Sequence, residues 1–416
     1  MRLSPILAAV IFAVTIAAND RAAAQSTAQP TPTTEPPASP VHKPTYTVQF
    51  EELPHLSLKP YGYIKLDAMY DTHNIAAGDL MFYALPHIDG VDDNEFRMTA
   101  RETRIGLDIN LSETGPVKMS GKIEMDFYGT GGSDNAANLR MRLAYVDMVL
   151  PRGLSLRAGQ DWDTFITVIP RIVNFSYLAD AGALGIRRPQ LRATQEIQLD
   201  EKTRLIAKLA AARTIGQDID GGGKDDGVDA GLPTGQANLF LERQLWTERA
   251  AKIGISGHVG RETCDKVDAG TICANDDQDY DTWSLIVSFY LPLCHRATLQ
   301  GCIWQGENLD TYYGGIGQGI NKTLETGIAA KGGFAQLLLD LTDHLNLNFG
   351  YGLDDPDEAD LNAEDRSKNE IVFSSLFFKL TRNAVLALEY SNLRTAYKDA
   401  DKAENNRVQG AVIYYF

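Results

Sequence analysis

The sequence has no apolar run long enough to cross a bilayer as a helix. Its longest, residues 6–18, stops just before Asp20 and Arg21, whereas a spanning helix needs about 20 apolar residues. It also lacks the G-x-S-x-G, H-E-x-x-H and P-loop patterns that announce hydrolases, zinc proteases and nucleotide enzymes. Its seven histidines are scattered, at 42, 55, 73, 87, 258, 295 and 344. Positive charge is scarce, with 39 Lys and Arg against 55 Asp and Glu and a formal net charge of −16, which argues against a nucleic-acid partner. Cysteine is scarce too. Cys264, Cys273, Cys294 and Cys302 are the only four, and none has zinc-site spacing with a histidine. Neither a metal nor a cofactor is expected.

What is present begins with a leader. Arg2, the apolar stretch and Ala22-Ala23-Ala24 read as a signal peptide over residues 1–25. Its removal takes away two basic side chains and one acidic one, leaving 37 against 54 and a net charge of −17. An exported chain can oxidise its thiols. Cys264 and Cys273 flank a polar segment and are expected to form a disulfide; pairing of Cys294 with Cys302 stays open. Residues 26–58 read as a Pro/Thr-rich disordered spacer. From residue 59 to 416 apolar and polar residues alternate with period two, as in Val117, Met119, Gly121, Ile123, Met125 and Phe127 against Lys118, Ser120, Lys122, Glu124 and Asp126. The chain ends in the same way, with Val408, Gly410, Val412, Tyr414 and Phe416 in one phase.

Sixteen such blocks can be drawn between residues 60 and 416. Short turns, such as 200–203 and 381–383, alternate with long polar segments, such as 72–95, 164–188 and 396–405. An even strand number with loops of unequal length predicts an all-β fold: a transmembrane antiparallel β-barrel of about 16 strands, with short periplasmic turns and long extracellular loops. The weakest block is 297–308. A lipid bilayer with its lipopolysaccharide is then the immediate partner, and the bacterial outer membrane the expected location.

Within that frame several words of the sequence are familiar. Gly62-Tyr63-Ile64-Lys65-Leu66-Asp67-Ala68, Phe96-Arg97-Met98-Thr99-Ala100-Arg101-Glu102-Thr103-Arg104-Ile105-Gly106 and Gly159-Gln160-Asp161-Trp162-Asp163-Thr164-Phe165 occur in this order. Arg188-Pro189-Gln190-Leu191-Arg192, Gly332-Gly333-Phe334-Ala335-Gln336-Leu337, Gly350-Tyr351-Gly352-Leu353-Asp354-Asp355-Pro356 and Asn406-Arg407-Val408-Gln409 follow. The chain resembles the DcaP-like outer-membrane porins over residues 60–416. The resemblance implies a homotrimeric sixteen-stranded channel favouring small anionic solutes, phthalate-like dicarboxylates among them. The helical N-terminal extension of that family has no counterpart in residues 26–59, which hold many prolines and no heptad.

If the apolar phase faces lipid, the other phase lines the lumen. That phase holds Lys65, Arg97, Arg101, Arg140, Arg142, Arg157 and Arg192. A phase jump between Ala100 and Ile105 predicts a bulge that turns Arg101 and Arg104 to the same side. Arginine suits an anion path because its planar fork grips carboxylates and stays charged. Asp67, Asp108, Glu124, Asp126, Asp161, Asp163 and Glu196 share the lumen phase, so the competing expectation is that they neutralise the arginines as wall-stiffening ion pairs. The segment 166–187 is unusually apolar for a loop and is expected to fold into the barrel, with Arg171, Arg187 and Arg188 as further path residues; the alternative is packing on a neighbouring subunit. Two functions remain: a passive porin with an arginine-lined constriction, or a structural or adhesin-type barrel whose acidic loops bind and whose lumen is shut.

Overall fold

A computed structural model describes residues 47–50, 53–87, 93–111, 117–132, 136–219, 225–264 and 277–416. The leader and most of the spacer lie outside the described residues. Sixteen antiparallel strands follow. β1 spans Leu53–Asp71, and β2 runs as Glu95–Thr99 and Arg104–Leu111 across a bulge. β3 is Lys118–Asp126, β4 Arg140–Val149, β5 Leu154–Trp162, β6 Arg187–Asp200, β7 Thr203–Ala212 and β8 Thr234–Arg243. β9 is Ala251–Cys264, β10 Gln278–Cys294, β11 Ala297–Glu307 and β12 Ala329–Asp340. β13 is Leu345–Pro356, β14 Arg366–Lys379, β15 Ala384–Tyr397 and β16 Ala400–Tyr415. Each strand pairs with its sequence neighbour, and β1 pairs with β16 from Tyr63↔Tyr415 to Asp71↔Arg407, which closes the barrel. Gly62 and Phe416 exchange two backbone hydrogen bonds, of 3.2 and 3.1 Å, at the end of that seam.

Closure follows from chemistry. No helix among the described residues is long and apolar enough to cross a membrane, and a sheet can stand in hydrocarbon only when it has no open edge. The outer wall meets the same demand with its side chains. Ile64, Leu66, Phe96, Met98, Ile105, Leu239, Ile253, Ile303, Val372, Leu388 and Val412 are all exposed on it. The alternate positions are buried and polar, among them Lys65, Asp67, Gln236, Asn348, Ser375, Glu389 and Gln409. Burial is inverted relative to a soluble protein because water and polar groups are inside. Exposed apolar side chains covering a whole wall are the mark of a lipid-facing surface.

Two details differ from the expectation, and the open question of Cys294 and Cys302 is answered. The barrel begins before residue 59: β1 starts at Leu53, and a short strand, Val48–Phe50, pairs back onto it, so the last part of the expected spacer is sheet. Residues 396–405 are no long loop, since β15 and β16 are joined by a turn at 398–399 in which Asp399 takes a left-handed φ of 57°. The polar residues there, Arg394, Glu404, Asn392 and Asn406, bond one another across the hairpin, so cross-strand pairing rather than apolar alternation carries the strands onward. Cys294 and Cys302 are free, the first exposed at the end of β10 and the second buried opposite Ser288 and Phe334. Cys264 is disulfide-bonded; Cys273 lies outside the described residues.

Leu388 sits on the outer wall of β15 opposite Gly410. Replacing it with Arg is expected to destabilise the barrel by about 2–4 kcal/mol, the cost of a basic side chain on a lipid face near the bilayer midplane. Reversible denaturant unfolding in lipid vesicles measures it. No loss of stability would mean that this wall faces water.

Candidate functional site: the constriction built by residues 163–186

The segment between β5 and β6 turns into the barrel and travels along its inner wall. Its main chain is held by lumen side chains from strand after strand. Gln236 accepts from Thr164 N at 2.6 Å, Ser256 donates to Phe165 O at 2.7 Å and Gln300 to Ile169 O at 3.1 Å. Gln336 both accepts from Arg171 N and donates to Arg171 O. Glu389 accepts from Val173 N and Asn174 N, Trp304 donates to Gly182 O at 2.8 Å and Asn369 to Asp180 O at 2.7 Å. Loop backbone that would otherwise need water is thereby satisfied inside the protein.

Side chains complete the docking. Phe165, Ile166, Ile169, Ile172, Leu178 and Leu184 pack with wall residues Ile286, Trp304, Phe334, Ile371, Phe373 and Leu393 in one buried cluster. The inner wall of β10–β15 is therefore partly apolar where the loop lies, which breaks the simple alternation there. Contact at the tip is backbone to backbone. A Cβ on Gly352 would fall on the Ala181 carbonyl oxygen, and one on Gly182 would meet the Gly333 carbonyl. Tyr177, Leu178 and Asp180 hold left-handed φ angles of 53°, 63° and 57°, a conformation that costs each residue free energy and persists because the docked surroundings fix it.

The opposite wall, β1 to β6, carries the expected cations. The β2 bulge turns Arg101 and Arg104 inward as anticipated: Arg101 meets Asp79 and Arg104 lies 3.5 Å from Glu124. Lys65 sits between Glu102 and Asp67 and also donates to Val173 O at 2.8 Å. Arg97 pairs with Glu95, and Arg140 grips Asp126 through two bonds of 2.9 and 2.7 Å. Arg142 bonds Glu124 at 2.8 Å and Asp126 at 3.0 Å. Arg157 holds Asp147 and Asp161, Arg192 shares Asp161 at 2.8 Å, and Arg188 meets Asp163 at 2.7 Å. The strand arginines thus stand in ion pairs, the competing expectation for this face. Each of these nine cations has at least one carboxylate within ion-pair distance, because alternation puts both signs on the same polar face and water-poor surroundings favour their pairing.

Among the described residues, no carboxylate lies within ion-pair distance of Arg171 or Arg187. They stand inside the loop and at its end. Arg171 donates to the Asn346 amide at 3.2 Å and lies over the Phe377 ring. Arg187 lies 4.6 Å from the Trp162 ring centroid, a stacking that leaves the charge uncancelled. Arg187 and Arg140 line a small cavity of about 60 Å³, whose other walls include Trp162, Phe175, Tyr177, Ile166 and Pro170. Leu80 and Phe82, from the loop after β1, and Tyr313, from the loop after β11, cover it. Among the described residues no group of three or more His, Cys, Asp or Glu side chains is placed to hold a metal ion.

Several residues of this site escaped the sequence. Asp79 lies in a polar loop with no strand phase to orient it. Phe175 and Trp162 look like ordinary loop and strand aromatics. Glu389 was within reach, since it interrupts Leu388 and Tyr390 as a lone acid in the lumen phase.

A closed sixteen-stranded barrel narrowed by a long inward loop defines a porin-type channel fold. No protein-family model matches the chain, and no curated protein matches its sequence. Solved structures do. The chain is similar to the outer membrane channel DcaP of Acinetobacter baumannii, with a TM-score of 0.70, 21% identity and coverage of 89% of this chain and 99% of that one. It also resembles an anion-selective porin from Comamonas acidovorans (TM-score 0.56, 13% identity, 87% and 100% covered) and OmpT, an outer membrane protein of Vibrio cholerae solved in a trimer form (0.53, 12%, 87% and 99%). The fold is that of the DcaP channel.

Because the loop docks by main-chain contact, Gly352→Val is expected to lift residues 181–182 off the wall while the strands still pair. Single-channel conductance should rise, with the heat-dependent electrophoretic shift of a folded barrel retained. Unaltered conductance from a folded variant would show that the tip does not set the aperture.

Proposed function

We propose that the chain is an outer-membrane porin through which small anionic solutes, carboxylates and dicarboxylates among them, diffuse passively. The observation that carries the reading is Arg187, a guanidinium without a carboxylate partner facing the cavity that the inward loop leaves open. In a narrow, protein-lined passage an uncancelled charge acts strongly on passing ions, whereas a paired one has little field to offer. Arg171, held by amides and an aromatic ring, offers a second such charge further along the loop. Two weak, separated sites suit conduction better than one tight site. The anion selectivity named for the Comamonas porin agrees with this direction. We further propose a homotrimer in the outer membrane, in keeping with the trimer form of a structural neighbour.

Reversal potentials across planar bilayers in a salt gradient test the reading. Wild-type protein should prefer anions. Arg187→Ala should lower the anion-to-cation permeability ratio roughly fivefold, the factor that about 1 kcal/mol of lost attraction represents, and Arg187→Lys should keep it. Cation preference in the wild type would overturn the anion reading, an unchanged ratio in Arg187→Ala would remove this residue from the path, and absence of conductance from folded protein would favour the structural or adhesin-type barrel.

A further inference from the structure

Four guanidiniums converge beside the tip of one loop aromatic. Phe175 has Arg142 at 5.1 Å, and Arg104 and Arg140 each at 5.9 Å, from its ring centroid. Arg187 lies next to them on the cavity wall, over Trp162, whose ring Arg142 also approaches at 5.9 Å. Among the described residues, only Glu124 and Asp126 stand within ion-pair distance of these four cations. The cluster therefore carries two more positive charges than its carboxylates cancel.

Part of that surplus is hidden from the cavity. Arg104 is 7% exposed and Arg142 1%, and Phe175, at 9%, forms part of the wall in front of them. Arg104 is also poorly satisfied, since its Nε and Nη2 are buried and find no hydrogen-bond acceptor. The aromatic face offers those donors a partial substitute, because a ring quadrupole attracts a cation without cancelling its charge. Phe175 is itself fixed from both sides, 5.3 Å from the ring of Tyr128 just beyond β3 and 5.3 Å from Tyr177 on its own loop.

We propose that Phe175 is a specificity-determining residue: it covers a net-positive arginine cluster and so sets how strongly the passage attracts anions. This rests on the porin reading but not on the sign of the wild-type preference. With the ring in place, a passing solute meets Arg187 and the edge of Arg140. Without it, the solute also meets the unsatisfied donors of Arg104, at the distance where a charge is felt before screening by water and salt takes over.

The test is Phe175→Ala, with Phe175→Tyr as the conservative variant and Phe175→Ala combined with Arg104→Gln as the third, all read as reversal potentials in a potassium chloride gradient. The Ala variant should move the permeability ratio toward anions by about threefold or more, on the order expected for exposing one further charge in the passage. The Tyr variant should stay near the wild-type ratio, and adding Arg104→Gln should return most of the shift. A ratio unchanged in the Ala variant while conductance rises would show that Phe175 only fills space and would overturn the proposal. So would a shift that survives loss of Arg104. If the wild type prefers cations but Phe175→Ala still moves toward anions, the porin's assigned selectivity fails and the role of Phe175 stands.

Discussion

Everything in the interior depends on the docking of residues 163–186 against the inner wall. A sixteen-stranded barrel encloses more space than its own inward side chains fill, so something else must shape the passage. Here the loop does it, and its hold has two parts: a line of wall amides and carboxylates that satisfy its backbone, and an apolar cluster that covers its side chains. Buried polar backbone without partners would be costly in such a place. Each lumen-facing Gln, Asn, Ser and Glu on β8–β15 that meets the loop removes part of that cost. The wall opposite is left polar, charged and open to the cavity.

Charge is distributed by the same division. Strand arginines lie on the same face as strand carboxylates, within the reach of cross-strand neighbours, and they pair. Loop residues lack that periodic complement. Arg171 and Arg187 are carried to positions where the nearby groups are amides, aromatic rings and other arginines. The wall's charges are paired, and the loop's charges are not.

Much of this was legible in the chain. Alternation along each strand marked all sixteen, including 297–308, because a residue facing lipid and a residue facing water obey opposite solvation rules. It located the bulge between Ala100 and Ile105, since a change of phase has no other cheap structural cause. It also put the right acids in the lumen. What alternation could not convey was pairing, which depends on register between strands and on where a loop of low periodicity comes to rest. Arg140 and Arg187 look alike in sequence; one meets Asp126 across the sheet and the other meets Trp162. The hairpin at 398–399 was obscured for a related reason, because above the apolar band both of its faces are polar and the two-residue rhythm disappears.

The main-chain contact between Ala181–Gly182 and the wall glycines Gly333 and Gly352 has a bearing on how such a channel can diversify. A loop anchored through peptide groups and missing side chains is anchored by features that most substitutions leave alone. Outside the buried apolar cluster, the residues between its anchors are then free to vary in size and charge without dislodging it. Descendants of one barrel could exchange their solutes through a handful of changes in this segment while the cylinder, its pairing and its fit to the membrane stay as they were.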